Sequence, residues 1–206
     1  MNPINRLEEI FSNFPGIGPR QARRFVYYLL NKPQNSVKEL TQLIEDVRRL
    51  STECDQCHRV FLFKKPGDRS CNVCSDPNRD QTTLMILARD SDFESVEKSG
   101  VYKGLYFILG GTVPVLDKEP EKRIRLKSLL ERVSAGNITC KEIILSLNTT
   151  PDGEHTTDIV KEALENLTRQ SPDRIKVTVL GRGLSTGAEL EYADSETIKN
   201  ALQNRH

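Results

Sequence analysis

No apolar run in the chain is long enough to cross a bilayer: the longest, at residues 84–88 and 105–109, are a handful of residues, against the ~20 that a spanning helix needs. A membrane helix is excluded. A secretory leader is not expected either, because Met1-Asn2-Pro3-Ile4-Asn5-Arg6-Leu7-Glu8-Glu9 puts acids where such a leader is basic and apolar. The expectation is a cytoplasmic protein with no membrane partner. Neither sign of charge is in excess, since the formal net charge is +1 over 206 residues, so the total says nothing about a polyanionic partner. Compositional bias is absent too: 36% hydrophobic and 29% charged residues lie outside collagen-like and disordered chains. This length suits one core domain with one or two small appendages.

What charge there is lies unevenly. Residues 1–52 hold 8 Lys/Arg against 5 Asp/Glu, residues 53–79 hold 5 against 4, and residues 80–206 hold 17 against 20. A basic front and an acidic back place a polyanion contact near the N-terminus. The front is also helical by pattern. Ile4, Leu7, Ile10, Phe11 and Phe14 recur at helical spacing until Phe14-Pro15-Gly16-Ile17-Gly18-Pro19 breaks the period. A second helix follows through Ala22, Phe25, Val26, Leu29 and Leu30, with Pro19 at a first position where its missing N–H costs little. Pro33 stops it. Ser36 with Glu39 then reads as a capping box opening a third helix through Val37, Leu40, Leu43, Ile44, Val47 and Leu50.

From residue 80 the pattern changes to short apolar runs at 83–88, 105–109, 143–147 and 175–180, with helical segments near 92–99, 120–134 and 156–169 and a last amphipathic stretch at 197–204. Buried strands alternating with helices predict an α/β layer with a mostly parallel sheet.

Four of the five cysteines fall between these halves, as Cys54-x2-Cys57 and, after thirteen intervening residues, Cys71-x2-Cys74. Each C-x-x-C sets two sulfurs on one tight turn, and two such turns supply a tetrahedral Zn2+ with Zn–S of about 2.3 Å. The closed site leaves no position for water or substrate, so this zinc, one per chain, is structural, and the segment is a small module held by something other than a core. Disulfides are the weaker reading in a chain without a secretion signal. His58 reads as an exposed neighbour of the second ligand, able in principle to replace a cysteine, and Cys140 as a core thiol.

The turn at residues 15–20 carries a second chemistry. Gly16 and Gly18 let the backbone turn tightly and leave N–H groups exposed at the start of the next helix. Those groups and the helix dipole can hold a phosphate, with Arg20, Arg23 and Arg24 adding charge. This is the logic of a helix-hairpin-helix, and it makes DNA binding sequence-independent and salt-sensitive. An ordinary packing turn is the alternative. A third group is acidic: Asp90, Asp92 and Glu94 follow the first strand of the sheet, while Asp152 and Glu154 flank Gly153 after the third. Carboxylates at such strand ends can bind Mg2+ or simply complement helix N-termini. The run Gly181-Arg182-Gly183-Leu184-Ser185-Thr186-Gly187 lacks dinucleotide-loop spacing and reads as an ordinary glycine-rich loop.

In this order the pieces resemble the RecR family of bacterial recombination mediators over nearly the whole chain. The matching stretches are 14–19, Cys74-Ser75-Asp76-Pro77 with Arg79-Asp80, Leu109-Gly110-Gly111, 148–154, 181–184 and 189–192. The resemblance implies an α/β protein with an N-terminal helical helix-hairpin-helix region (1–52), a small four-cysteine zinc finger (53–79), a C-terminal Toprim-like, mostly parallel α/β domain (80–195) and a C-terminal helix (196–206). It also implies a non-enzymatic DNA clamp, a dimer or tetrameric ring, that works with RecO and RecF in recombinational repair. With RecO it would load RecA onto single-stranded DNA coated by SSB. The family's DNA-facing basic residues carry over to Arg20 and Arg24, with Arg23 an extra charge, and its partner-binding or metal-binding Toprim acids to Asp92, Asp152 and Glu154. One departure matters: where the first Toprim strand usually ends in glutamate, this chain has Ala88. A methyl group has no proton to exchange, which argues against catalysis and puts any Mg2+ site in doubt. The competing readings are a Mg2+-dependent Toprim nuclease or nicking enzyme, and a zinc-finger adaptor that binds only proteins.

Overall fold

The structure, a computed structural model, describes residues 2–203 except 118, 136–139, 170–174, 182, 185, 186 and 188. Arg182, Ser185 and Thr186 of the glycine-rich loop and Asn204 of the last expected helix lie outside the described residues. The chain divides into two units, Met1–Ser51 and Thr52–His206. Among the described residues no helix is long and apolar enough to cross a membrane.

In the first unit, α1 (Pro3–Ser12) is started by Asn2, whose side chain accepts the Ile4 N–H at 3.0 Å, satisfying a donor that the first helical turn leaves without a partner. α2 (Pro19–Leu30) takes Gly18 as its N-cap, with Pro19 first. The two pack through Phe11 and Phe25, edge to face at 5.9 Å, and bury Ala22 and Val26. α3 (Gln34–Leu50) begins two residues before the expected capping box, which does not form. Pro33, at φ −56°, already sets the chain on a helical entry, and the Ser36 N–H bonds to its carbonyl at 3.0 Å from inside the first turn. The apolar face of α3 follows the predicted spacing but stays uncovered: Leu43, Ile44 and Val47 are 54%, 61% and 56% exposed.

The second unit opens with the cysteine segment, whose β1 (Ser51–Glu53) and β2 (Val60–Leu62) form a two-stranded sheet. A four-stranded sheet follows, built from β3 (Asp80–Leu87), β4 (Gly104–Ile108), β5 (Glu142–Ser146) and β6 (Lys176–Val179) in the order β4-β3-β5-β6. All of its pairings are parallel. β4 and the second half of β3 are buried on both faces, which is why they read as continuous apolar runs, whereas β5 alternates buried with half-buried residues and β6 has Lys176 and Val179 exposed. Leu84, Ile86, Leu105, Phe107, Ile143 and Leu145 face a core closed by α5 (Leu126–Ser134) and α6 (Pro151–Thr168). On the other face Met85, Leu87, Tyr106 and Ile108 pack with Phe93 of α4 (Asp90–Ser99) and with Cys54, Cys57, Cys71 and Val73. The cysteine segment therefore shares a core with the sheet, contrary to the expectation of a module without one.

Two helix boundaries also differ from expectation. Segment 120–134 splits into a 3-10 turn at Pro120–Lys122 and α5. α6 begins five residues before 156, because Thr150 caps it, accepting the Gly153 N–H at 3.2 Å, and Pro151 takes the first position. Its first turns bury Gly153, Thr156 and Thr157 rather than aliphatic residues, so the hydrophobic period starts late. A second 3-10 turn (Leu190–Tyr192) and α7 (Ser195–Gln203) complete the described elements.

Candidate nucleic-acid interface and metal centre

The hairpin between α1 and α2 is built on hydrogen bonds from the Phe14 N–H to the Phe11 carbonyl and from the Ile17 N–H to the Phe14 carbonyl, at 3.1 and 3.0 Å. Gly16 sits at φ +74°, a conformation that excludes most side chains. A methyl at either Gly16 or Gly18 would meet nothing within 4 Å, so this corner lies open to an approaching group. The N–H groups of Gly18 and Arg20 have no acceptor among the described residues. The three arginines that follow are not equivalent. Arg20 and Arg24 lie exposed one turn apart, Arg24 reaching only the Gln21 side-chain oxygen at 3.3 Å. Arg23 turns back to α1, its Nε 3.2 Å from Glu8 Oε1.

The four sulfurs of Cys54, Cys57, Cys71 and Cys74 lie within 4.8 Å of one another, and all five cysteines are free thiols. Cys57 and Cys71 approach to 3.6 Å, close to the ~3.8 Å between sulfurs of a tetrahedral four-thiolate centre. The Cys71 N–H donates to Cys54 Sγ at 3.4 Å. The sulfurs push one another's titration apart: contact with Cys57 holds the Cys54 thiol below its ordinary range, and the same contact holds Cys57 above it. A cation in place of the shared protons suits such a donor set. Among the described residues this is the only group of three or more His, Cys, Asp or Glu able to hold a metal ion.

His58 is neither a ligand nor the exposed neighbour expected. It is half-buried at φ +59°, with its Nδ1 2.5 Å from Glu53 Oε1 and its ring edge-on to Phe107. Cys140 packs half-buried against the main core with its thiol donating to the Glu142 carbonyl at 3.3 Å, and burial pushes its pKa up to about 11.

The acidic residues are held by backbone amides. Asp90 Oδ1 accepts the Val60 N–H at 2.9 Å, tying β2 to α4. Asp92 Oδ2 accepts the Arg89 N–H at 3.0 Å at the start of the same helix. Asp152, in the first turn of α6, accepts the Val115 N–H at 3.2 Å, and Thr156 accepts that of Val113 at 2.8 Å. Together they anchor the loop after β4. Glu154 shares that first turn, its N–H bonded to the Thr150 carbonyl at 2.9 Å. Among the described residues Asp92, Asp152 and Glu154 form no group that could hold a metal ion. Ala88, at the end of β3, is fully buried.

Sequence reasoning missed the groups that seat the cysteine segment on the sheet. The Ile108 N–H donates to the Cys57 carbonyl at 2.8 Å, lengthening the β4 ladder into the cysteine turn. Arg132 of α5 donates to the carbonyls of Gln56 and Tyr106, both at 2.7 Å, and Arg125 reaches Glu53 Oε2 at 2.9 Å. Arg79 pairs with Glu97, which also accepts the Tyr106 hydroxyl at 2.8 Å. Burial raises the Glu97 pKa, but the Arg79 guanidinium and the Tyr106 hydroxyl outweigh it and hold the carboxyl below the usual range. Nothing in local spacing pairs these residues; the folded sheet with α4, α5 and the cysteine segment does.

Comparison with known proteins covers the same ground. Residues 4–48 match the family model described as RecR, helix-hairpin-helix, residues 82–181 that of the Toprim domain, and residues 183–206 that of RecR, C-terminal. The recombination protein RecR of Lactobacillus acidophilus is 36% identical over 203 residues, 98% of this chain and 96% of that protein. Its counterparts in Bifidobacterium longum subsp. infantis and Streptococcus pneumoniae are each 35% identical over 98% of this chain, covering 94% and 96% of their own lengths.

Proposed function

The chain belongs to the RecR family, and from that premise we propose that it is a DNA-binding recombination mediator with no chemistry of its own, acting with RecO and RecF in recombinational repair and RecA loading. The observation that carries this reading is the open corner at Gly16 and Gly18, where two unpaired N–H groups and the start of α2 meet the exposed Arg20 and Arg24. That geometry grips phosphates and cannot read bases. Arg23, committed to Glu8, contributes less. The four cysteines hold Zn2+, which stabilises the segment seated on β4. Asp92 and Asp152 spend carboxylate oxygens on backbone N–H groups, which supports a structural role for them over Mg2+ chemistry. The uncovered apolar face of α3 supports a homo-oligomer, since a contiguous exposed apolar stripe marks a surface for another protein.

Anisotropy titration of labelled DNA tests the reading. Binding is expected to fall steeply with salt and to be indifferent to sequence. Arg20→Ala/Arg24→Ala should weaken it and reduce the salt slope by about 2, near one per lost phosphate contact, whereas Arg23→Ala should do much less. The DNA should emerge uncut in the presence of Mg2+. Cuts abolished by Asp152→Ala would make the protein a nuclease, and absence of binding would make it a protein adaptor.

A further inference from the structure

The exposed side of α2 continues past its arginines into aromatic rings. Arg20, Arg24 and Tyr28 stand four residues apart, so they follow one line along the helix at about 6 Å per step. Tyr27 and Tyr28 are 52% and 59% exposed, while Ala22 and Val26 take the buried side. Tyrosines contributing to a core would lie with Ala22 and Val26. Arg20, Arg24, Tyr27, Tyr28 and Asn31 instead line one groove that starts at Gly16. Lys32 sets its ammonium 4.5 Å from the centre of the Tyr28 ring, adding a cation beside the far end of the groove on one face of that ring. α2 contains three arginines and no acidic residue.

We propose that this groove binds single-stranded DNA, with the phosphates held by the start of α2, Arg20 and Arg24, and an unpaired base stacked on Tyr28. The inference rests on the DNA-binding reading above and narrows it to one kind of DNA. A positive track with aromatic faces along it is how proteins hold single strands without reading sequence, because every base offers a flat face to stack. In a duplex the faces are stacked on one another and cannot reach the ring, so the duplex gains only the phosphate contacts. Arg20 and Arg24, on a helix with no acidic residue, favour a polyanion over a purely apolar protein surface as its occupant.

The test compares a labelled oligothymidylate with a duplex of the same length, using the full chain. Tyr28→Ala and Tyr28→Leu, the latter keeping apolar bulk without an aromatic face, should each weaken single-strand binding about 5- to 100-fold, the range for loss of one stacked base. Duplex binding should stay within about twofold, and the salt slope should not change, because the ring neutralises no phosphate. Tyr28→Phe should bind as the wild type does. The chain has no tryptophan and five tyrosines, so stacking should also quench its intrinsic tyrosine fluorescence on the single strand, and Tyr28→Phe should remove that signal while keeping affinity. Unchanged single-strand affinity in both Tyr28→Ala and Tyr28→Leu would overturn the proposal, as would equal losses on the two DNAs. A smaller assembly in sedimentation with DNA affinity unchanged would overturn it and assign the face to a second copy of the chain. Failure of the wild type to bind either DNA would sink the mediator reading itself.

Discussion

At the scale of single residues, the Arg79, Glu97 and Tyr106 cluster makes a quantitative prediction. Glu97→Gln removes the charge that Arg79 faces, and loss of a charge-assisted bond in a part-buried setting costs roughly 1.5–3 kcal/mol, to be read by denaturant unfolding. The sign of its pH dependence follows from the lowered carboxyl pKa. A carboxyl that titrates lower in the folded than in the unfolded chain adds stability above its unfolded pKa, about 4.3, and loses it as pH falls through the folded value. The gap between wild type and Glu97→Gln should therefore be flat above about pH 5 and close below about pH 4; a gap that widened in acid would contradict the assignment. Gly153 is a second sensitive position. A methyl there would sit on the Asn148 carbonyl oxygen, so Gly153→Ala should lower the unfolding midpoint by an amount equivalent to ~1–3 kcal/mol, despite the better helix propensity of alanine.

At the scale of elements, the cysteine segment and the four-stranded sheet should unfold together. Cys57 lies in the same core as Met85, Leu87 and Ile108, and its carbonyl continues the β4 ladder. Metal chelation, or Cys57→Ser, should therefore lower the melting temperature of the sheet as well as the cysteine segment, and calorimetry should show one transition moving rather than a small one vanishing. β3, β4 and β5 were legible in the sequence because burial turns each into an apolar run, β6 only through its valines, since Lys176 and Val179 are exposed, and α1 and α2 because their apolar residues recur at helical spacing and Pro19 marks the second start. The start of α6 was not, because buried threonines and a glycine carry no hydrophobic period. The capping box at Ser36 and Glu39 had the right letters, but Pro33 starts the helix first. The ligand spacing of the cysteines and the glycines of the hairpin showed where to look for sites. The seating of the metal centre was hidden, since a bond between the Cys57 carbonyl and the Ile108 N–H involves no side chain, and Arg125 and Arg132 look like any surface cation until the sheet is assembled.

At the scale of the whole molecule, the uncovered stripe on α3 predicts self-association. Leu43→Glu/Val47→Glu puts two charges where a partner's apolar surface would lie, and analytical ultracentrifugation should report a smaller species with the helical circular dichroism signal retained; an unchanged mass would place the subunit interface elsewhere. The position of β4 has a different consequence. It is an outermost strand of the sheet, and its sequence Gly-Leu-Tyr-Phe-Ile has the β-propensity, low charge and freedom from proline that favour amyloid-like pairing between chains. A bare flank of that kind is an aggregation hazard. The cysteine turn occupies the Ile108 N–H and packs over Tyr106 and Ile108, acting as a gatekeeper. Metal loss, by oxidation of the thiols or by chelation, should thus first show as insolubility, because an ion held by the four cysteines would keep their turn over the flank of β4.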